Sequence, residues 1–581
     1  MPFKAPSWVP QLAFDPPDDV SICDFILDDK YARHPLKDSR PPFVCGITGK
    51  SYTGLEVKER IQHVAAGLSK ELGWLPNDGS DWDKVLCIFS TNAIDYLTVA
   101  WGTHRLGGIV SPANAAYSVS ELAYQLKSSG SQCVFTCAPL LEATLEAAKE
   151  VGIPKERVYI LEVPGPSAPK EFKTVDQFID EGRKLQPLEK LVFKPGEGAR
   201  RIAFLSYSSG TSGLPKGVMI THRNVIANTM QMCTFERKDR KNRQEKEGRA
   251  DPTQVALGLL PLSHIYGLIV IAHCRAYSGD SAIILPKFEP QSFLSAIQTH
   301  KINILYLVPP IIVLMTKNKP LLDKFDLSSV INIFTGAAPL GEETAADLLT
   351  QFPSWVVAQG YGLTETCTVV SASKFDDVWL GSSGSLLPSV EARIVALDGS
   401  EVTEYGVPGE LLVKGPSCTL GYFNNSKATF ETYEDGWVRT GDEVVIKKHP
   451  ESGHEHLFIV DRIKELIKVK GHQVAPAELE AHLLTHHAVN DCAVIPVPDA
   501  DAGEVPKAFV VKSPNVGLEE SDRLVARDIQ RHVEKHKTRA KWLKGGVEFI
   551  DVIPKSPSGK ILRRLLRDKE REKRRVAGPK I

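Results

Sequence analysis

Apolar β-branched runs along this chain alternate with longer segments whose apolar residues return at helical spacing. Lys84 to Phe89 (KVLCIF), Gln132 to Thr136 (QCVFT) and Ile302 to Val308 (INILYLV) read as buried strands, whereas Ser118 to Ser129 and Pro290 to His300 read as helices. Strands and helices in alternation predict α/β layers. From about Val390 the pattern shifts to short strands separated by the turn signals LDGS, YGVPGE and EDGW, which predicts a smaller β-rich unit before Asp461. After Lys464 a compact α/β stretch ends in a basic helix. The Pro/Lys/Glu-rich stretch 163–200 reads as a linker. The charge run Glu236 to Ala250 (ERKDRKNRQEKEGRA) lacks apolar periodicity and reads as a solvated loop or insertion.

Length and composition narrow the class without naming a function. A chain of 581 residues exceeds what one core usually serves, so several domains or fused subdomains are expected. Lys plus Arg number 70 against 71 Asp plus Glu, so there is no global attraction to nucleic acid. The ten cysteines show no CxxC pair and no metal-ligand spacing, which predicts reduced thiols. The N-terminus, MPFKAPSWVPQLAFDPPDD, has neither a long apolar core nor a basic amphipathic pattern, which argues against secretion or mitochondrial import. The longest apolar run, Ile304 to Met315, is broken by Pro309-Pro310 and falls short of the about 20 residues a bilayer span needs.

Candidate chemistry begins at Ser208-Ser209-Gly210-Thr211-Ser212-Gly213-Leu214-Pro215-Lys216-Gly217, between a strand at Phe204 to Tyr207 and a helix from Asn224. Bare backbone amides, hydroxyls and one lysine converge there, which suits an anion such as phosphate. A flexible Ser/Gly turn is the plain alternative. A P-loop NTPase requires Gly immediately before the Lys and Ser or Thr after it, whereas the neighbours here are Pro215 and Gly217. Further along, Gln359-Gly360-Tyr361-Gly362-Leu363-Thr364-Glu365 places an aromatic between glycines and then a hydroxyl and a carboxylate. Arg439-Thr440-Gly441-Asp442, Asp461-Arg462-Ile463-Lys464, Leu466 to Val474 (LIKVKGHQV) and Ser556-Pro557-Ser558-Gly559-Lys560 follow in order. Singly, each has a bland reading: a turn, a half-buried strand with solvated lysines, a lysine on a basic tail.

In this order the motifs resemble the adenylate-forming superfamily of acyl-CoA synthetases, luciferases and adenylation domains. The resemblance is closest to its 4-coumarate:CoA ligase-like branch and to fungal phenylacetyl-CoA ligases, and runs from CGITGKSY (45–52) to PKSPSGKILRR (554–564). It implies an α/β fold: a large N-terminal domain of stacked α/β subdomains with a small β-barrel-like subdomain (1–462), and a small mobile α+β C-terminal domain (463–581) joined by a hinge at Lys464. It implies ATP and CoA as co-substrates, a small carboxylic acid, and Mg²⁺ carried with ATP. Ser208, Ser209, Gly210, Thr211, Ser212, Gly213 and Lys216 would then hold phosphate. Gln359, Gly360, Tyr361 and Gly362 would line the nucleotide, with Tyr361 stacking on adenine and Thr364 touching the α-phosphate. Glu365, with Thr211, would help hold the metal. Asp442 and Arg462 would take the ribose. Lys560 would bind the acyl carboxylate and α-phosphate during adenylation. Lys468 and Gln473 would replace it in the second half-reaction, with Lys470 and Gly471 beside CoA.

The resemblance also turns His264, otherwise a core histidine, into the residue that orients the acid carboxylate, with Tyr266 on the pocket wall. Val270, Thr335, Gly336, Ala337, Gly360 and Val369 complete that pocket. Hydroxycinnamate ligases usually carry Lys where Thr335 stands, a polar group where Val270 stands, and Ala-Gly-Pro where Thr366-Cys367-Thr368 stands. The apolar walls suggest a phenylacetate-like, cinnamate-like or medium-chain acid. A luciferase-like oxygenase and an enzyme loading a carrier-protein thiol are the alternatives. His482, His486 and His487 stand near helical spacing without Cys or carboxylate partners, which argues against a metal there. Cytoplasm or peroxisome is expected, since Pro579-Lys580-Ile581 resembles a peroxisomal tripeptide only loosely.

Overall fold

Two sheets whose central strands are parallel and buried on both faces form the middle of the molecule. The computed structural model describes residues 2–208, 215–248, 251–396, 398–470, 472–499, 501–514, 521–556 and 559–577. The first sheet runs in the order Val158–Ile160, Cys133–Thr136, Val85–Phe89, Ile109–Ala113, Ile202–Ser208, Lys216–Thr221, parallel except at the last pair. The second has nine strands. Its parallel centre passes from Val356–Leu363 through Asn332–Thr335, Ile304–Leu307, Val255–Gly258 and Ser281–Ile284 to Phe43–Cys45. Continuous apolar strands such as VLCIF suit this position, because helices cover both faces.

The helices begin and end where local chemistry dictates. Ser118 and Glu121 form a capping box that opens Val119–Ser129, and Gly130, at φ +69°, closes it. Pro290 opens Pro290–His300 at a position where its missing N–H costs nothing.

The region after Val390 forms an antiparallel sheet built on Glu391–Val395, Gly409–Lys414, Trp437–Lys448 and Glu455–Arg462. At the EDGW signal, Asp435 (φ +48°) and Gly436 (φ +80°) join Tyr433–Glu434 to Trp437–Lys448 in a tight hairpin whose two turn residues are both left-handed. From Ile467 onward the chain builds its own core around Ile467, Leu479, Val494, Phe509 and Ile529, under the helices Pro476–Leu484, Asp522–His536 and Arg563–Ala577. The fold is thus mixed α/β, with a large N-terminal and a small C-terminal domain.

Two expectations need correction. The charge run from Glu236 does not form a loop: the helix His222–Glu247 continues through it, and residues 249–250 lie outside the described ones. Its inward face is ionic rather than apolar, which is why no hydrophobic period marks it. Glu236 takes a 2.7 Å hydrogen bond from the fully buried Arg275, Arg240 pairs with the buried Asp280 at 2.6 Å, and Asp239 accepts from the Phe375 amide at 3.0 Å. The stretch 163–200 is likewise not all linker, since Val175–Gly182 is a helix that buries Phe178 and Ile179. Among the described residues no helix is long and apolar enough to cross a membrane.

Candidate active site

Four segments that lie far apart in sequence converge at the C-terminal end of the strand Val356–Leu363. This strand leads into a single 3-10 turn at Thr364–Thr366, after which Cys367 (φ +52°) and Thr368 (φ +106°) adopt left-handed backbone. Such conformations are costly outside glycine and persist only where neighbours fix them. Here the Thr368 hydroxyl donates to the Ile265 carbonyl at 3.1 Å, and the Thr419 amide and hydroxyl both donate to the Glu365 carbonyl at 3.0 Å. A Cβ at Gly362 would collide with the Thr368 carbonyl, so the glycine is required by that close approach.

Glu365 faces the strands Ile202–Ser208 and Lys216–Thr221. Its Oε1 accepts from Ser208 Oγ at 3.1 Å and from Tyr422 Oη at 2.7 Å. Ser208 and Lys216 are cross-strand partners, and the Lys216 ammonium lies 4.8 Å from the centre of the Tyr422 ring. Tyr422 was not anticipated from the sequence; its only signal there is an aromatic between glycine and phenylalanine. Ser209, Gly210, Thr211, Ser212 and Gly213 lie outside the described residues, as do Gly471 and the C-terminal Pro579-Lys580-Ile581.

On the other side of the turn, Tyr361 Oη donates to Asp442 Oδ2 at 2.6 Å, and Arg462 Nε approaches Asp442 Oδ1 at 3.4 Å. Asp442 and Arg462 are register partners on neighbouring strands, which fixes the pair before any ligand contributes. Burial raises the Asp442 pKa although Arg462, Tyr361 and Lys560 all favour its anion. Burial opposes the Arg462 charge, but Asp442 and Glu465 outweigh it and the net shift is upward.

Lys560 reaches the same place from the far end of the chain. Gly559, at φ +81°, packs so tightly on the large domain that a Cβ there would lie 3.1 Å from Val308 Cβ. The turn is closed by the Gly559 amide donating to the Ser556 carbonyl and the Ser556 amide to the Lys560 carbonyl, both at 2.8 Å. Burial, and next the Arg462 cation, lower the Lys560 pKa to about 8, while Glu465, Asp442 and Glu365 oppose the fall. His264, at the N-terminal end of the π-helical segment Gly267–His273, is lowered to about 4 by burial and then by Lys560. Lys560, Asp442, Arg462, Glu365 and His264 therefore share one electrostatic neighbourhood.

The residues expected around His264 are mostly apolar and buried. Tyr266 is buried, stacks edge-on against Tyr306 and Phe334, and donates to the Phe334 carbonyl at 2.8 Å. Val270, Thr335, Gly336, Val369 and Val370 are buried, and Ala337 is exposed with φ +66°. A side chain at Gly336 would approach the Gly360 carbonyl at 3.1 Å and the Tyr266 ring at 3.6 Å, so these two glycines leave space beside the ring.

Other expected residues stand differently. The Gln359 carboxamide pairs with the Leu340 backbone, accepting from its amide at 3.2 Å, so its polar end is already engaged within the fold. Lys468 and Gln473 face each other across the hairpin Ile467–Val469/His472–Val474 and are exposed, as is Lys470 at its turn (φ +48°). Lys464 is exposed in the turn that follows Arg462. Thus the structure gathers Lys560 into the cleft and leaves Lys468, Lys470 and Gln473 at solvent.

Residues 32–423 match the AMP-binding enzyme family, and residues 478–560 match the AMP-binding enzyme C-terminal domain. The chain is 42% identical over 575 residues to the acyl-CoA ligase easD of Emericella nidulans, across 98% of this chain and 100% of that protein. It is 40% identical over 593 residues to the acyl-CoA ligase cm3C of Cordyceps militaris, across 98% of this chain and 90% of that one. ATP-bound MatB of Rhodopseudomonas palustris has the same fold, with a TM-score of 0.77 at 24% identity, across 95% of this chain and 99% of that one.

Proposed function

This chain belongs to the AMP-binding enzyme family, and from that premise we propose that it is an ATP-dependent carboxylic acid:CoA ligase. The acid carboxylate attacks the α-phosphorus of ATP, forming the acyl-adenylate as pyrophosphate leaves. The CoA thiol then attacks the acyl carbonyl, forming the thioester as AMP leaves. The observation that carries this reading is that Lys560 is buried close enough to Asp442, Arg462, Glu365 and His264 to act on their charges, an arrangement that suits joining a carboxylate to ATP.

Each group has a task in the first step. Tyr361 offers its face to adenine, and Asp442 and Arg462 take the ribose hydroxyls. Ser208 and Lys216 bound the triphosphate, together with the loop between them and the Thr364 hydroxyl. Lys560 spans the carboxylate and α-phosphate and stabilises the charge that builds there as the bond forms. His264 is neutral at physiological pH and can donate one hydrogen bond to the carboxylate without competing for its charge. Glu365 keeps Oε2 without a hydrogen-bond partner among the described residues, and a carboxylate beside substrate phosphates is a donor set that fits Mg²⁺. When bound with ATP, that ion would neutralise phosphate charge.

For the second step the unit from residue 463 would turn about Lys464, withdrawing Lys560 and presenting the face that carries Lys468, Lys470 and Gln473 to the adenylate. The acid is read as phenylacetate-like, cinnamate-like or medium-chain, as in the branch related to 4-coumarate:CoA and phenylacetyl-CoA ligases. Val270, Val369 and Val370 are buried apolar residues, and a phenol would find no cation partner at Thr335. A panel of carboxylic acids with ATP and CoA, followed by AMP release and thioester mass, tests the whole reading. AMP release with no thioester would remove CoA as the acceptor, and a profile confined to 4-hydroxycinnamates would overturn the acid assignment.

A further inference from the structure

Away from the cleft, five histidines meet on one face of the C-terminal domain. His482 lies in the last turn of Pro476–Leu484, and His486 and His487 lie just beyond it. His532 and His536 are one helical turn apart on Asp522–His536, which packs against that first helix. The partners absent from the local sequence around His482 are therefore supplied by the next helix. The His482 and His532 rings stack with centroids 4.3 Å apart, and the His536 ring lies 5.3 Å from His482 and 5.2 Å from His532.

One ligand nitrogen from each of His482, His532 and His536 falls within 4.8 Å of the other two. A tetrahedral ion with metal–nitrogen bonds of about 2.1 Å spaces its donors about 3.4 Å apart, and because the His482 and His532 rings stack at an interplanar angle of 6°, one of them must rotate about its side-chain bonds for both lone pairs to meet one ion. One nitrogen of each ring has a hydrogen-bond partner nearby. His482 Nε2 and His536 Nδ1 donate to the His532 carbonyl at 3.4 and 2.9 Å, and His532 Nε2 lies 3.0 Å from the Thr485 hydroxyl.

We propose that His482, His532 and His536 form a binding site for a divalent transition-metal ion of the Zn²⁺ class, separate from the nucleotide cleft. Three imidazoles with no carboxylate among them favour such an ion over Mg²⁺ or Ca²⁺, and a three-ligand set leaves a position for water. A neighbouring trio, His486, His487 and Asp528, also gathers its donors within 4.8 Å, but two of its three members are exposed. The site stands on these contacts alone and does not depend on the ligase reading.

The test uses the full chain, stripped with chelator and titrated with Co²⁺ by calorimetry and visible absorption, then with Zn²⁺ as competitor. One equivalent of Co²⁺ should bind with a visible ligand-field band, be displaced by Zn²⁺, and be indifferent to Mg²⁺. His536→Gln alters an exposed side chain and should weaken binding at least about tenfold, since even outer-shell changes cost that much. His487→Gln should leave it within about twofold. An unchanged unfolding midpoint of metal-free His536→Gln separates lost ligation from lost folding. Equal binding by His536→Gln and wild type, weakening by His487→Gln alone, or no Co²⁺ uptake at about 100 μM would each overturn the site.

Discussion

The Tyr361 hydroxyl donates a 2.6 Å hydrogen bond to Asp442 Oδ2, joining the aromatic face assigned to adenine with the carboxylate assigned to ribose. Bonds to charged acceptors contribute about 1.5–3 kcal/mol. Tyr361→Phe keeps the ring and loses this bond, so the KM for ATP should rise roughly tenfold while the maximal adenylation rate changes little. Asp442→Asn removes the ribose acceptor charge as well and should lower kcat/KM by roughly a hundredfold. ATP–pyrophosphate exchange measures both. An unchanged KM in both variants would place the nucleotide elsewhere.

Lys560 gives the cleft a pH signature. Its pKa is lowered from 10.5 to about 8, first by burial and then by Arg462, so the ammonium is present below pH 8 and lost above it. The kcat/KM of adenylation, which reports the free enzyme, should fall about tenfold per pH unit above 8. ATP restores negative charge beside the lysine, so kcat should bend only at higher pH. His264, already neutral with a pKa of about 4, should add no acidic limb near 6.5. Lys560→Arg should abolish the alkaline bend. Lys560→Ala should block adenylation by at least about a hundredfold yet still convert supplied acyl-adenylate to thioester. Equal loss in both half-reactions would sink the assignment.

Much of this cleft was legible in the sequence because its chemistry is carried by short ordered motifs. Tyr361, Asp442, Arg462 and Lys560 were expected together, and the structure gathers them through strand register and one glycine turn. The illegible parts share a different cause. Tyr422 binds Glu365 through a single hydroxyl that no spacing announces. Glu236 and Arg240 hold their helix through ion pairs with Arg275 and Asp280, residues an apolar-period reading cannot see. Gln359 lies within a motif yet spends its side chain on Leu340, a choice made by the fold and not by the local pattern. His532 and His536 join His482 only when two helices pack.

Arg563, three residues beyond Lys560, ties the segment after Arg462 to the C-terminal core. Its guanidinium donates to Glu465 Oε2 at 2.6 Å and to Glu480 Oε2 at 2.7 Å, with all three side chains largely buried. Burial raises the Glu480 pKa to about 7 even with this partner present. Arg563→Met would leave two buried carboxylates without their shared cation, an error that costs about 3–5 kcal/mol. Denaturant unfolding should show that loss. The double variant Glu465→Gln/Arg563→Met should recover part of it, whereas a purely additive result would deny the coupling.

Lys464 is the last test because its side chain contributes so little to the present arrangement. It is exposed, and the turn around it is closed by the Glu465 and Leu466 amides donating to the Arg462 carbonyl at 2.8 and 3.1 Å. Lys464→Ala should therefore leave overall turnover near that of wild type. Lys464→Pro fixes φ near −65° and restricts Ile463 to extended backbone, so it restricts rotation about this point. With Lys560 seated in the cleft, that variant should retain adenylate formation while slowing thioester formation by roughly tenfold or more. Single-turnover measurement of pyrophosphate release and of thioester from supplied acyl-adenylate separates the two. Turnover unchanged by the proline would mean that the domains exchange without bending here, and the hinge would have to be sought at another residue between Arg462 and Leu466.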